Sequence, residues 1–167
     1  RLRGAGYLNG ILGKVTHLAP VERFQWDEQQ DAGDLGHGRN PDLYASYARR
    51  FLARAKEEDR PFFLMANAHD PHRPFVGSEQ EAAKFGDEVR DLPAPSTIYS
   101  PEDIVIPGFL PDLPEIRLEI SQYYNSCRRC DDTVGAVLRE LDDAGLADTT
   151  LVLFLSDNGM AFPFSKT

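Results

Sequence analysis

The sequence predicts an α/β protein with a largely parallel β-sheet and flanking helices. Three apolar segments have the length and composition of strands, and two long segments between them have the 3.6-residue periodicity of amphipathic helices. Strands that alternate with helices favour parallel pairing, because a parallel connection has to cross the sheet. With 167 residues, 41% of them hydrophobic, the chain can bury one domain-sized core. We expect residues 1–167 to be one domain or part of a larger one.

The first predicted elements are a strand and a helix separated by a long loop. Residues 7–14 (YLNGILGK) are predicted as a strand, and the polar, glycine-bearing residues 21–40 as a surface loop. Asn40 before Pro41 is typical of a helix N-terminus, and apolar residues then recur at helical spacing. This pattern predicts a helix that runs to about Glu58.

The middle of the chain contains a second strand and a long irregular region. Residues 61–67 are predicted as a strand that leads into the polar sequence HDPHRPF. Residues 76–114 are rich in proline and lack a sustained period, so we expect loops with one short helix near residues 79–85. Long irregular segments in compact domains are often functional.

The longest predicted helix begins after Pro114 and has Gly145 as its C-cap. Its apolar residues step alternately by four and three, which places them on one face that we expect to be buried. Cys127 and Cys130 belong to this face, so we predict that they pack in the core and are neither a redox pair nor half of a zinc site. The face consists of Ile116, Ile120, Tyr123, Cys127, Cys130, Val134, Val137 and Leu141.

The last predicted strand, residues 151–156, leads directly into Asp157-Asn158-Gly159. The carboxyl ends of parallel strands share one edge of a sheet, where ligand sites are built. Polar side chains follow all three predicted strands at that edge: Lys14 and His17, then His69, Asp70 and His72, then Asp157 and Asn158.

These polar residues predict a metal-assisted site for an oxyanion ester or amide. Asp157 and Asn158 carry oxygen donors that suit Ca²⁺ or Mg²⁺, whereas lysine and histidine suit an anionic group beside the metal. Lys166 is close enough in sequence to fold back over the site. Taken singly, each feature has an ordinary explanation, such as an Asp-Asn-Gly turn or a solvated lysine. The hypothesis depends on the fact that all these polar residues follow predicted strands at the same edge of the sheet.

The composition limits the classes of partner. A formal net charge of −9 argues against nucleic acid and anionic membrane surfaces as partners. The sequence has no run of 18 apolar residues, so it predicts no membrane span.

Four segments together resemble a known enzyme family. In chain order they are ILGKVTH, PFFLMANAHDPHRPF, YYNSCRRCDDTVGAVLRELDDAGLADTT and LVLFLSDNGMAFPFSKT. They resemble the middle of a sulfatase of the alkaline-phosphatase superfamily, and most closely the heparan N-sulfatase subgroup. The most specific parts are HDPHRPF and SDNG followed by FPxxKT. The resemblance implies a calcium-dependent hydrolase of sulfate esters or sulfamates on sulfated, glycosaminoglycan-type sugars. It also suggests a lysosomal, periplasmic or secreted location.

The resemblance implies a role for each matching residue. Asp157 and Asn158 match calcium ligands, and His69 matches the histidine that contacts the sulfate and protonates the leaving group. Lys166 matches a basic residue that holds a sulfate oxygen, and Lys14 matches the lysine of the Gly-Lys pair near the nucleophile.

Some family features differ or are expected elsewhere. His17 follows Lys14 by three residues, whereas the family commonly has two, so its role depends on a local bulge. The resemblance also implies an early acidic pair of metal ligands and a Cys/Ser-x-Pro/Ala-x-Arg motif whose Cys or Ser becomes the formylglycine nucleophile. We expect both outside this sequence, because residues 127–130 (CRRC) lack the proline or alanine. The chain therefore resembles an internal piece of a sulfatase catalytic domain, without the nucleophile-bearing start and the C-terminal subdomain.

Two alternative functions remain open at this point. One is a phosphodiesterase or phosphonate hydrolase of the same superfamily, and the other is a non-catalytic protein that binds sulfated sugar.

Overall fold

The computed structural model of the chain describes residues 1–163 and Ser165. The chain divides into two compact units. The first contains residues 1–69 and 133–150, and the second contains residues 70–132 and the described residues from 151 onward. Within the described residues, no helix has the length and apolar character needed to cross a membrane.

The first unit contains a parallel sheet, which confirms the predicted α/β class. Its described strands are β1 (Leu8–Leu12), β2 (Glu28–Gln30) and β3 (Phe62–Ala66), in the order β2-β1-β3. The central strand β1 is buried along its whole length, as expected for a short apolar run flanked by strands on both sides. The predicted strands at residues 7–14 and 61–67 are therefore confirmed.

The register places the carboxyl ends of all three strands at one edge of the sheet. Leu12, the last residue of β1, lies opposite Gln30 of β2 and Ala66 of β3. Two backbone hydrogen bonds continue this edge beyond the strands, from Gly13 N to Gln30 O (2.7 Å) and from Asn67 N to Leu12 O (2.7 Å). The segments that follow β1 and β3 thus start side by side.

Helix α1 (Pro41–Glu57) begins where the sequence predicts. The Asn40 side chain accepts hydrogen bonds from the peptide nitrogens of Asp42 (3.0 Å) and Leu43 (3.3 Å), which satisfies two of the unpaired donors of the first turn. The residues that α1 buries in the core of the first unit are Tyr44, Ala48, Phe51, Leu52 and Ala55.

Helix α3 (Pro114–Asp143) ends in a Schellman motif at Gly145. Gly145 N donates to Asp142 O (2.8 Å), and Leu146 N donates to Leu141 O (3.2 Å). Gly145 has φ of +69°, which residues with a Cβ adopt only at a cost. The predicted C-cap is confirmed.

Gly145→Ala is expected to lower the free energy of unfolding by about 1 kcal/mol, because the alanine Cβ is strained at positive φ. Gly135→Ala is the matched control within the same helix. It is expected to raise that free energy by about 0.5–1 kcal/mol, because alanine has a higher helix propensity than glycine. The added Cβ meets only the flexible end of Arg139. Urea denaturation of both variants measures the difference, and effects of the same sign would contradict the assignment of the cap.

The second unit is built from irregular chain, a short helix and the first part of α3. Helix α2 (Glu79–Phe85) lies where a short helix was predicted, and the Ser78 hydroxyl caps it by accepting from Glu81 N. The apolar core of this unit is formed by buried side chains from distant parts of the sequence, namely Phe75, Ile104, Ile120 and Phe162.

The prediction that residues 21–40 form only a surface loop is wrong. The segment contains β2 and part of the core, with Leu35 and Arg39 buried. Strand β2 consists of Glu28, Gln29 and Gln30, whose polar composition gave no strand signal because the pairing uses only the backbone. Short 3₁₀ turns complete this segment and others, at Arg3–Ala5, Val15–His17, Val21–Arg23, Ala32–Leu35, Gly86–Asp91, Pro101–Asp103 and Ala147–Thr149.

The predicted buried strand at residues 151–156 is also not observed. The structure assigns no strand to these residues, and the side chains of residues 151–155 are between 51% and 83% exposed. An apolar run shows a preference for burial, but a strand also requires a neighbouring backbone that pairs with it. Composition alone cannot supply that partner.

The most buried residue of the CRRC segment is Arg129, and not either cysteine. Cys127 and Cys130 form no disulfide and are only half-buried, and burial raises the pKa of Cys127. The Arg129 side chain is 2% exposed and pairs with Asp70 at 2.6 Å and with Glu81 at 3.1 Å. Apolar periodicity could not reveal this buried ion-pair cluster, because its members are charged.

Candidate functional site

The candidate site lies at the carboxyl edge of the sheet in the first unit. Lys14 follows β1 after one glycine and has a left-handed backbone conformation, with φ of +56°. It precedes the 3₁₀ turn Val15–His17, and the turn is held by a hydrogen bond from Val15 N to Asp31 Oδ1 (3.2 Å). The chain therefore leaves β1 in a fixed direction, with Lys14 and His17 at the two ends of one turn.

His69 reaches the same edge from β3 and is held by the loop that precedes α1. Its peptide nitrogen donates to Gly38 O at 2.9 Å. The imidazole packs so closely on Gly38 that a Cβ at that position would overlap Nδ1, and Gly38 itself has φ of +72°. Among the described residues, none forms a hydrogen bond with the buried Nδ1. A ligand would therefore meet the ring through Nε2.

A tyrosine and an asparagine brace this loop against the strand end. Tyr44 Oη donates to Asn67 O at 2.7 Å and lies 3.4 Å from Gly38 O. The Asn67 side chain donates in turn to Gly13 O at 3.1 Å. The β1 and β3 ends and the loop at Gly38 are thus linked by direct hydrogen bonds.

His17 lies close to His69 despite its unusual spacing from Lys14. The centroids of the two imidazole rings are 6.1 Å apart, with the ring planes tilted by 55°. The 3₁₀ turn accommodates the extra residue and directs the exposed His17 side chain toward His69. The structure thus brings together Lys14, His17 and His69, while their catalytic roles remain predictions.

The structure adds Arg39, a residue that the sequence analysis did not select. Arg39 is only 3% exposed, and its Nη1 donates to His37 O at 3.1 Å. Its charge acts on His69, as the pKa of that residue shows. A lone arginine in a glycine-rich segment has no distinctive pattern, so only the folded chain reveals its place.

The electrostatic environment favours the neutral form of His69. Burial lowers the pKa of His69 to about 4, and the positive charges of Arg39, Lys14 and His17 act in the same direction. Asp31 opposes them by favouring the protonated ring. A strongly acidic chain therefore carries a local cluster of basic groups, and such a cluster is suited to bind an anion.

In the anion-free protein, His69 is expected to titrate near pH 4, well below the ordinary histidine value of about 6.5. The imidazole is then neutral at pH 7. Added inorganic sulfate is expected to raise the pKa, because a nearby negative charge stabilises the imidazolium. NMR titration of ¹³C-labelled histidine measures both values, and a midpoint near 6.5 without sulfate would contradict the described environment.

The predicted metal ligands lie in the second unit. Asp157 and Asn158 are exposed and follow residues 151–155, and Asn158 O accepts a hydrogen bond from Ser156 Oγ at 2.7 Å. Their carboxylate and amide oxygens fit calcium chemically, but calcium normally takes about 6–8 oxygen ligands. Within residues 1–163 and Ser165, no three His, Cys, Asp or Glu side chains cluster as a metal site. Lys166 lies outside the described residues.

One segment formally fits the nucleophile motif that was expected to be absent from this sequence. Residues 46–50 read Ser-Tyr-Ala-Arg-Arg, but they lie within α1, with Ser46 exposed. Arg49 pairs with Glu140 at 2.6 Å, and Arg50 pairs with a carboxylate of β2. Because both arginines form ion pairs that link α1 to α3 and β2, we interpret the match as part of the helix surface.

Comparison with known proteins identifies the family of this chain. The sequence model of the family described as Sulfatase matches residues 3–163. The chain is 36% identical to human (Homo sapiens) N-sulphoglucosamine sulphohydrolase over 99% of its own length and 34% of that protein. It is 32% identical to iduronate 2-sulfatase of Mus musculus over 78% of its own length and 28% of that protein.

A third relative has a broader description. The chain is 30% identical to the multifunctional alkaline phosphatase superfamily protein PehA of Trinickia caryophylli, over 68% of its own length and 26% of that protein. The chain thus spans about a third or less of the curated relatives it matches. Open α/β sheets bind their ligands outside the carboxyl ends of the strands, which is the edge where the basic groups of this chain lie. The family match makes the class specific: the chain belongs to the sulfatase family.

Proposed function

We propose that the full-length protein hydrolyses sulfate esters or sulfamates of sulfated sugars. The observation that carries this proposal is the convergence of Lys14, Arg39, His17 and His69 at one sheet edge in a chain of net charge −9. A local basic cluster in an acidic protein favours a small anionic group over a polyanion such as nucleic acid. The sulfatase relatives make sulfate the anion that we expect.

The described residues bind the anion and donate a proton in the proposed reaction. Lys14, His17 and Arg39 attract the sulfuryl oxygens and reduce the charge that accumulates on them during substitution at sulfur. His69 donates a proton from Nε2 to the departing oxygen or nitrogen. The His69 ring is neutral at pH 7 without substrate. We propose that the bound anion raises the pKa of His69, so that the ring takes up from solvent the proton that it later transfers to the leaving group.

Calcium and a formylglycine nucleophile complete the proposed site. Asp157 and Asn158 would contribute two oxygen ligands to calcium, which would supply additional positive charge next to the sulfuryl group. Lys166 would hold a sulfate oxygen, as the family resemblance implies. The aldehyde precursor and the remaining metal ligands would come from residues outside this sequence.

The decisive experiment compares three substrates with the full-length protein. Matched sugars that carry a sulfate ester, a sulfamate or a phosphate ester are assayed side by side for kcat/KM. We expect one of the two sulfur substrates to exceed the phosphate ester. A clear preference for the phosphate ester would instead support the phosphohydrolase alternative, for which the similarity to PehA is the specific observation. No turnover of any substrate would contradict the proposal.

Asp157→Asn is expected to lower kcat/KM of the full-length protein about 100-fold or more, because it removes a charged metal ligand. Cys127→Ala is the control, since its half-buried thiol contributes mainly packing. Added calcium in large excess is expected to restore part of the Asp157→Asn activity. Equal losses in the two variants, at unchanged thermal stability, would show that the metal assignment is wrong.

A further inference from the structure

Residues 36–39 form a loop in which Gly38 packs against the side of the His69 ring that carries Nδ1. The loop is held by its own backbone, since Gly38 N donates to Ala32 O (3.1 Å) and Arg39 N donates to Gly36 O (3.0 Å). Gly38 O then accepts from His69 N (2.9 Å). The chain around His69 is therefore fixed before any ligand arrives.

The close contact between Gly38 and His69 requires a glycine. A Cβ on Gly38 would overlap Nδ1 and would also meet the neighbouring ring atoms Cγ and Cε1. Positive φ at Gly38 is a second, independent reason, because other residues adopt it with strain. The orientation of the His69 ring thus depends on the absence of a side chain at position 38.

Arg39 places a permanent charge in the same loop. A guanidinium stays protonated even when it is buried, whereas a buried lysine can lose its proton. Arg39 opposes protonation of His69 more strongly than Lys14 or His17, and Asp31 is the acidic group that acts against them. These cations would attract a bound anion. The negative charge of the anion would then offset the repulsion between the cations and a protonated His69 ring.

We propose that the loop of residues 36–39 is a positioning element of the anion site, in which Gly38 fixes the His69 ring and Arg39 supplies a permanent charge beside it. The assignment of the anion as a substrate sulfuryl group rests on the proposed function. The positioning of His69 and the affinity for a free anion do not depend on turnover. Both properties can therefore be tested separately from the proposed function.

The first test uses Arg39→Met in the full-length protein, with Arg54→Met as the matched control. Arg54 lies on α1, where it forms an ion pair with Glu58. We expect Arg39→Met to raise the pKa of His69 in NMR titrations and to weaken inorganic sulfate binding about tenfold, the scale of one charge-assisted contact. If Arg39→Met matches Arg54→Met in both measurements, the role of Arg39 is disproved.

Two further variants separate charge from folding and orientation. Arg39→Gln removes the charge but keeps hydrogen-bond donors, so we expect it to raise the pKa of His69 as Arg39→Met does. If Arg39→Met fails to fold, Arg39→Gln replaces it in the test, and a His69 pKa that stays near 4 would then overturn the role of the charge. Gly38→Ala is expected to shift the ¹³C resonances of the His69 ring, because the added Cβ displaces the ring, and to lower kcat about 100-fold. Its sulfate affinity is expected to stay within about threefold, since the cations remain, and unchanged His69 resonances would overturn the positioning role of Gly38.

The proposed function and this inference fail in different ways. If the unsubstituted protein hydrolyses no sulfate ester or sulfamate but Arg39→Met still shifts the pKa of His69, the proposed function fails and the charge role of Arg39 stands. If turnover is robust but neither loop variant differs from the control, the inference fails and the proposed function stands.

Discussion

His69→Gln in the full-length protein is expected to lower kcat for a sugar sulfate by about 10²–10⁴-fold, the usual contribution of a positioned acid. Glutamine retains an amide that can contact a sulfate oxygen, but it cannot donate the proton that an alkoxide or amine leaving group requires. The expected loss is therefore mainly in kcat, with KM changed only a few-fold. Steady-state kinetics with the sugar sulfate measures both constants.

The leaving group provides the control for this prediction. An aryl sulfate such as 4-nitrophenyl sulfate releases a stable phenolate that needs little protonation, so His69→Gln is expected to reduce its turnover much less. The ratio of the two losses reports proton donation separately from binding. Equal losses with both substrates would assign His69 to anion binding or to the structure of the site, and not to acid catalysis.

Arg129→Met is expected to produce the largest loss of stability, about 3–5 kcal/mol, because it leaves buried carboxylates without their cation. The Arg129 side chain is 2% exposed, and the carboxylates of Asp70 and Glu81 are 1% and 4% exposed. A methionine of similar length fills the space but offers no charge and no hydrogen-bond donor. Urea denaturation measures the change in the free energy of unfolding.

Arg128→Met is the matched control because Arg128 is the preceding residue of the same helix. The Arg128 side chain is 35% exposed and pairs with Asp131 at 2.9 Å and with Asp132 at 3.2 Å. Partly exposed pairs of this kind contribute little, so we expect a change of about 1 kcal/mol or less. Neutralising both partners of Arg129, with Asp70→Asn and Glu81→Gln, is expected to recover part of the loss. Similar losses for Arg128→Met and Arg129→Met would contradict the description of a buried ion-pair cluster.

The Arg129 cluster also shows where sequence reasoning failed on α3. The apolar face predicted from periodicity is real, but most of it is only half-buried, and several of the most buried residues of the helix are polar. They are buried because partners satisfy them: Asn125 bonds the backbone of Tyr99, and Ser126 bonds Val76 N. The periodicity of apolar residues carries no information about hydrogen-bond partners that are distant in sequence.

Residues 151–155 and strand β2 also show that side-chain composition does not decide which segments form strands. The apolar segment LVLFL was expected to form a buried strand and is exposed, whereas the polar segment EQQ was expected in a loop and forms a strand. Pairing in a sheet is made by backbone groups of two segments, so side-chain composition only biases it. Prediction succeeded for β1, β3 and α1, where composition and local capping signals agree.

The sequence by itself determined the α/β class, the starts and ends of the main helices and the arrival of Lys14 and His69 at strand ends. These features are local: they follow from periodicity, from an N-cap or C-cap residue and from the polar residues that directly follow an apolar run. Only the tertiary structure decided that His17 approaches His69, that Gly38 packs on the imidazole and that Arg39 acts on its charge. These features depend on contacts between segments about 30 to 50 residues apart in sequence, and no local pattern encodes which distant residues meet.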